Sequence, residues 1–187
     1  MVFVTTLLHE FNQGYRDFSD IALHNADLRA VQLSGIELDR ADLSGVTLEG
    51  ADLSRATLKR ANMTNGDLVD TDLSGANLQE VNLIGADLSD ASLVGADLSH
   101  ADLRAANLTG ADLSGANLSG AEVSGANFRN AKLTGACLDQ VDLEGADIEG
   151  ADLTQIRSCG IETSTGISHR WISWGTGYVV MSRPLQR

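Results

Sequence analysis

Four histidines, two cysteines, 26 acidic side chains and many serines supply the groups that acid–base, nucleophilic or metal chemistry would need. Their spacing does not assemble them. His9, His24, His100 and His169 stand at no metal-ligand spacing from one another or from Cys137 and Cys159. Fourteen Ser or Thr residues, Ser19 to Thr154, recur at one place of a five-residue period, so they belong to a repeat and suggest no nucleophile paired with a base. The glycines keep the same period and form neither a phosphate loop nor a dinucleotide fingerprint. The carboxylates are dispersed, with no sign of a cleft that would raise a pKa. No catalytic residue, cofactor or metal is expected.

The elements that carry these residues are five-residue words. Ala86 to Gly120 reads ADLSD ASLVG ADLSH ADLRA ANLTG ADLSG ANLSG, and the register runs without a slip from Phe18 to Leu153. Leu fills 23 of the 28 central positions; the exceptions are Phe18, Met63, Val123, Phe128 and Ile148. Two residues earlier, Ala fills 19 of 27 places, with Gly66 and Thr71 as odd members. A period of five suits neither a helix nor a plain strand. Apolar residues two apart point to one side of a short extended piece, and the two residues after Leu make a corner. Gly holds the second corner place in 13 of 28 words, where positive φ is cheap.

The composition narrows the function further. A net charge of −13 repels duplex nucleic acid and anionic membranes and suits a basic partner, although acidity also simply solubilises. With 4% aromatic residues and one proline, the core must be aliphatic. Two cysteines make no disulfide framework, and a reduced cytoplasmic setting is the simpler reading. MVFVTTLLHE lacks a basic flank and a long apolar run, so neither a signal peptide nor a membrane span is expected. Leu7, Leu8 and Phe11 share one helical face, which predicts a short helix over 5–14, started by Thr5 or Thr6 and ended by Gly14.

Words such as ADLSG, ANLSG and ANLTG resemble the pentapeptide-repeat family over about 136 residues, in the Ala-Asp/Asn-Leu form widespread in cyanobacterial members. The resemblance implies an all-β fold, a right-handed quadrilateral parallel β-helix (a solenoid) with four words per coil and about seven coils. Segment 1–15 is then an N-terminal helical cap, 16–157 the β-helix and 158–187 a C-terminal cap or dimerisation segment. In that last segment Trp171, Trp174 and Tyr178 either close the final coil or anchor a homodimer.

Four words per coil stacks residues 20 apart. Fifteen acidic residues occupy the place before the central residue, where Asp and Asn also suit tight corners. No Lys or Arg occurs from Ala61 to Leu103, so Asp67, Asp70, Asp72, Asp87 and Asp90 form a candidate acidic patch. Arg40, Arg55, Lys59 and Arg60 form a candidate basic patch, read either as cations relieving nearby carboxylates or as a docking site. The expected function is a non-enzymatic protein-interaction scaffold with an unknown protein partner. The alternative, implied by the resemblance, is an acidic DNA mimic that binds a type II topoisomerase (DNA gyrase) and inhibits or protects it. Direct binding of nucleic acid is not expected.

Overall fold

A computed structural model describes residues 2–159. From Asp17 onward the chain winds as a β-helix solenoid. Single parallel bridges join residues 20 apart in four ladders: Asp17 to Arg157, Ala22 to Glu122, Asp27 to Asp147 and Gln32 to Asp152. Each 20-residue turn has four corners, marked by a positive φ at every fifth residue, such as Arg40 at 58°, Gly45 at 63°, Gly50 at 64° and Arg55 at 57°.

The five-residue period follows from where the backbone donors go. In the word around Leu38, the Glu37 N–H bonds down to Arg16 O at 2.8 Å, and the Leu38 and Arg40 N–H groups bond up to Thr57 O and Lys59 O at 2.7 and 2.8 Å. The Ala41 N–H closes the corner on Leu38 O at 3.1 Å. One donor per word is left, on the residue after the centre. Where the side chain just before the centre is Asp or Asn, it takes that donor: thirteen Asp and six Asn stand in that row, and each accepts the N–H two residues on. The Asp/Asn row is therefore the Asx closure that completes the backbone's hydrogen bonding.

With the backbone satisfied, the apolar rows fill the bore. Leu33, Leu53, Leu73, Leu93 and Leu113 are each 0% exposed, and the Ala row packs beside them in one cluster that runs from Leu7 to Leu138. Each buried Leu contributes about 1.5–3 kcal/mol. The two irregular members of the Ala row are accommodated. The buried Thr71 hydroxyl donates to Leu48 O at 2.9 Å. At Gly66 an added Cβ would stand 3.0 Å from Leu68 Cδ1 and 3.1 Å from Met63 O.

The helix before the coils, α1, spans Val2–Asn12 and starts earlier than the sequence predicts. Thr5 and Thr6 lie inside it and are exposed, so neither is the cap. Its end is as expected. Gly14, at φ 100°, donates to Phe11 O and Tyr15 donates to Glu10 O, the paired bonds of a Schellman motif. Leu7 and Phe11 pack in the same cluster as Phe18. Arg16 ties helix to coil: its Nη1 donates to Phe11 O at 2.8 Å, and its guanidinium lies 4.0 Å from the Phe11 ring centre.

Candidate interaction surface

Outer side chains project from three places in each word: the Asx row, the residue after the centre and the second corner residue. The 20-residue rungs align each place into columns along the rod. Within columns, neighbours interact in a few recurring ways. Asn stacked on Asp donates its amide to the carboxylate, as Asn62 does to Asp42 at 3.2 Å and Asn107 to Asp87 at 2.9 Å. Asn117 does the same to Asp97 at 3.1 Å. Where acid meets acid directly, as at Asp52–Asp72 and Asp67–Asp87, no such donor intervenes.

The candidate acidic residues divide into two roles. Asp67, Asp72 and Asp87 belong to the Asx row and accept Val69, Ser74 and Ser89 N–H at 3.3, 2.9 and 3.0 Å. Asp70 and Asp90 are second corner residues with φ of 54° and 57°. They stand one coil apart, since the Asp70 N–H reaches Ser89 O at 3.1 Å. An Asp90 oxygen leans onto the next coil, where a Cβ on Gly110 would run into it. The same pairing of a polar corner residue with Gly one coil on recurs at Asn65–Gly85 and His100–Gly120.

Two of the candidate basic residues, Arg40 and Arg60, are paired within their own column. Arg40 forms a forked pair with Asp20 at 2.8 and 2.6 Å, and Arg60 with Glu80 at 2.8 and 3.1 Å. The Lys59 N–H donates to Asp39 Oδ1 at 3.0 Å, and the Arg55 Cγ lies 3.8 Å from where a Gly75 Cβ would be. Arg40 reaches one coil back and Arg60 one coil on, so these two cations do not converge. Water and salt screen such exposed pairs, so they add little to stability.

The hydrogen bonds set the electrostatics of the rod. The Arg40 fork holds the Asp20 carboxyl below the usual carboxylate range. The Ser44 hydroxyl and N–H do the same for Asp42. Asp97 is lowered although burial opposes it, because Gln79, Ser99 and Asn117 all donate to it. Sequence reasoning missed Cys137. It stands in the outward Asx row yet is 1% exposed, with Arg157 on the rung above and Cys159 two residues further on. The 20-residue period carries that signal only once the coil length is known. Trp171, Trp174 and Tyr178 lie outside the described residues.

Among the described residues no group of His, Cys, Asp and Glu could hold a metal ion, and no helix is long and apolar enough to cross a membrane. A family model described as pentapeptide repeats (8 copies) matches residues 17–55, 36–75, 71–110 and 106–145. Among solved structures, a pentapeptide-repeat protein from the cyanobacterium Nostoc is 40% identical, with a TM-score of 0.50 over 53% of this chain and 79% of that one. HetL, also from Nostoc and involved in heterocyst differentiation regulation, is 28% identical over 80% of this chain and 92% of that one, with a TM-score of 0.39. QnrB1, a plasmid-mediated fluoroquinolone resistance protein, is 22% identical over 74% of this chain and 90% of that one, with a TM-score of 0.35. No curated protein matches the chain.

Proposed function

The chain belongs to the pentapeptide-repeat family, and we propose that it is a non-enzymatic interaction scaffold of the cytoplasm whose partner is a protein with a basic contact surface. The observation that carries this reading is the fixed array of outer carboxylates. Asp67 and Asp87 share a rung, and Asp70 and Asp90 stand beside them on consecutive coils. The ladder that spaces them is continuous with the core, so the array needs no ordering when a partner docks, which lowers the entropy cost of binding. In this reading the rod is a right-handed quadrilateral β-helix of seven coils. Segment 1–15 closes one end and segment 158–187 closes the other, with Trp171, Trp174 and Tyr178 covering the last coil or pairing two copies.

Replacing Asp67, Asp70, Asp87 and Asp90 with Asn tests the array. Asn preserves the acceptors of the Asx bonds while removing four charges. Proteins of the host retained on immobilised wild type should be lost on the four-Asn variant and released from wild type by moderate salt, because attraction between exposed charges is screened over about 8 Å at physiological ionic strength. Retention of the same proteins by both forms would reject the array as the docking face.

The directly stacked acids favour one second reading, a mimic of the charge on duplex DNA. Its partner would be a type II topoisomerase such as gyrase. A supercoiling assay separates the two readings. Inhibition or drug protection by the wild type that vanishes in the four-Asn variant supports the mimic. Indifference of the host gyrase to excess wild-type protein removes it.

A further inference from the structure

At the last described ladder rung stand two thiols that no part of the repeat requires, Cys137 on the rung itself and Cys159 two residues past its other end. Cys137 faces Arg157 across that rung, and the Arg157 N–H donates to Ala136 O at 2.9 Å. Three more bonds lay the following residues along the coil beneath. Arg157 Nε donates to Gly135 O at 2.7 Å, and Ser158 Oγ and the Cys159 N–H donate to Asp139 Oδ2 at 3.0 and 2.7 Å. Both cysteines are free thiols, Cys137 buried and Cys159 exposed. They are neighbours: burial and the adjoining Cys159 thiol push the Cys137 thiol up to about 11. Cys159 opens on a shallow groove lined also by His100, Ser119, Gly120, Asp139 and Gln140.

This pair sits where the rod is least well knit. Asp142 forms no bridge, although its column is continuous from Ala22 to Glu122. The Gly125 N–H reaches Gly145 O at 3.1 Å, one residue beyond the regular offset of 19 kept by Phe128 N to Asp147 O. Val141, Leu143, Ile148 and Leu153 are only partly buried.

We propose that Cys137 and Cys159 are a site of oxidative modification, closing to a disulfide that clasps residues 157–159 onto the coil below and stiffens the weak final turn. A disulfide needs Cα atoms within about 7 Å. Neighbouring parallel strands lie about 4.8 Å apart, and the Asp139 clamp holds Cys159 on the coil next to that of Cys137, two residues past the Arg157 that faces it. The oxidant is a peroxide. The exposed Cys159 thiolate attacks one peroxide oxygen, the O–O bond breaks, and the other oxygen leaves as hydroxide. The sulfur is now a sulfenic acid. Cys137 sulfur then attacks Cys159 sulfur, forming the S–S bond and expelling the hydroxyl, which takes the Cys137 proton and departs as water. With hydrogen peroxide the sum is two thiols and one peroxide giving one disulfide and two waters.

The test uses the reduced full-length chain and stoichiometric hydrogen peroxide, with Cys137→Ser and Cys159→Ser in parallel. Intact-mass and peptide analysis of the wild type should show loss of two hydrogens and a Cys137–Cys159 link within one chain, reversed by dithiothreitol. Cys137→Ser should instead retain a dimedone-reactive sulfenic acid on Cys159, and Cys159→Ser should stay unmodified. Amide exchange over residues 142–154 should slow several-fold in the oxidised wild type and in neither variant. Cys159 sulfinic acid or chain-to-chain dimers with Cys137 still free would overturn the proposal. A link that forms without slowing exchange in 142–154 would overturn the clasp.

Discussion

Asp97 gives the most direct test of the claim that the Asx row holds the coils together by accepting hydrogen bonds and not by its charge. Its Oδ1 accepts the Ser99 N–H at 3.0 Å and the Asn117 side-chain amide at 3.1 Å, and its Oδ2 accepts Gln79 Nε2 at 2.6 Å. Asn117 in turn accepts Ser119 N–H and Oγ at 3.1 and 2.7 Å, so one carboxylate links three coils. Asp97→Ala strands three donors. At about 0.5–1.5 kcal/mol per net bond, and with the site half-open to water, the loss should be about 2 kcal/mol. Asp97→Asn keeps both Oδ1 bonds, and Gln79 can turn its amide to meet the new NH2 group, so its loss should stay under about 1 kcal/mol. Because a repeat array need not unfold in one step, the assay is native-state exchange at the Ser99 amide. It should speed up about thirtyfold in the Ala variant, since 1.4 kcal/mol is tenfold, and only a few-fold in the Asn variant. The acid limb supplies the control. The folded carboxyl titrates below its unfolded value, so its stabilisation is complete above about pH 4 and is lost as pH falls through the folded value. Asp97→Asn should lack that part of the acid sensitivity. Equal Ser99 protection in the wild type and the Ala variant would refute the Asx account.

Leu103 is 0% exposed, on the row that continues through Leu83 and Val123; Leu103→Asp should cost about 3–5 kcal/mol or abolish soluble protein, read by circular dichroism during urea unfolding. Gly110→Ala places a side chain at φ 72° and against Asp90. The left-handed backbone accounts for about 1–2 kcal/mol, and adding Asp90→Ala should recover only the part due to the clash, measured from urea midpoints of the single and double variants. Ending the chain after Gly160 should lower the melting temperature or cause aggregation if the segment beyond it covers open strand edges. A truncated chain that stays monomeric and equally stable assigns that segment to a partner.

The inward rows were legible because Leu and Ala two residues apart can only share a face of an extended piece, and the structure buries both. The corner was legible at Gly45 or Gly110, where Gly signals positive φ. It was silent at Arg40, Arg55 and Ala105, which take the same conformation without that signal. There the closure of the ladder overrides the residue's own preference. The start of α1 was misplaced because Thr5 and Thr6 look like caps, whereas the helix already begins at Val2. The acidic columns needed the coil length, which five-residue words alone do not contain. The basic residues read as a cluster along the chain, but the side chains of Arg40 and Arg60 reach along the column to Asp20 and Glu80, a choice that spacing cannot reveal. The Cys137–Cys159 contact was hidden for a similar reason. It joins a row that is usually polar and outward to the corner of the following coil.

Because every word makes a quarter of a turn, the rod responds differently to lengthening by five residues and by 20. Inserting one word leaves each Leu pointing inward and each corner closed, but it rotates everything downstream onto the adjacent face and breaks every charge column at the junction. Inserting four words restores the faces and only lengthens the columns. Duplication in units of five thus shuffles the surface at almost constant core, whereas duplication in units of 20 copies a surface and extends it. The gene for such a protein can therefore explore new binding faces without re-solving the folding problem, and can keep a useful face while changing its reach.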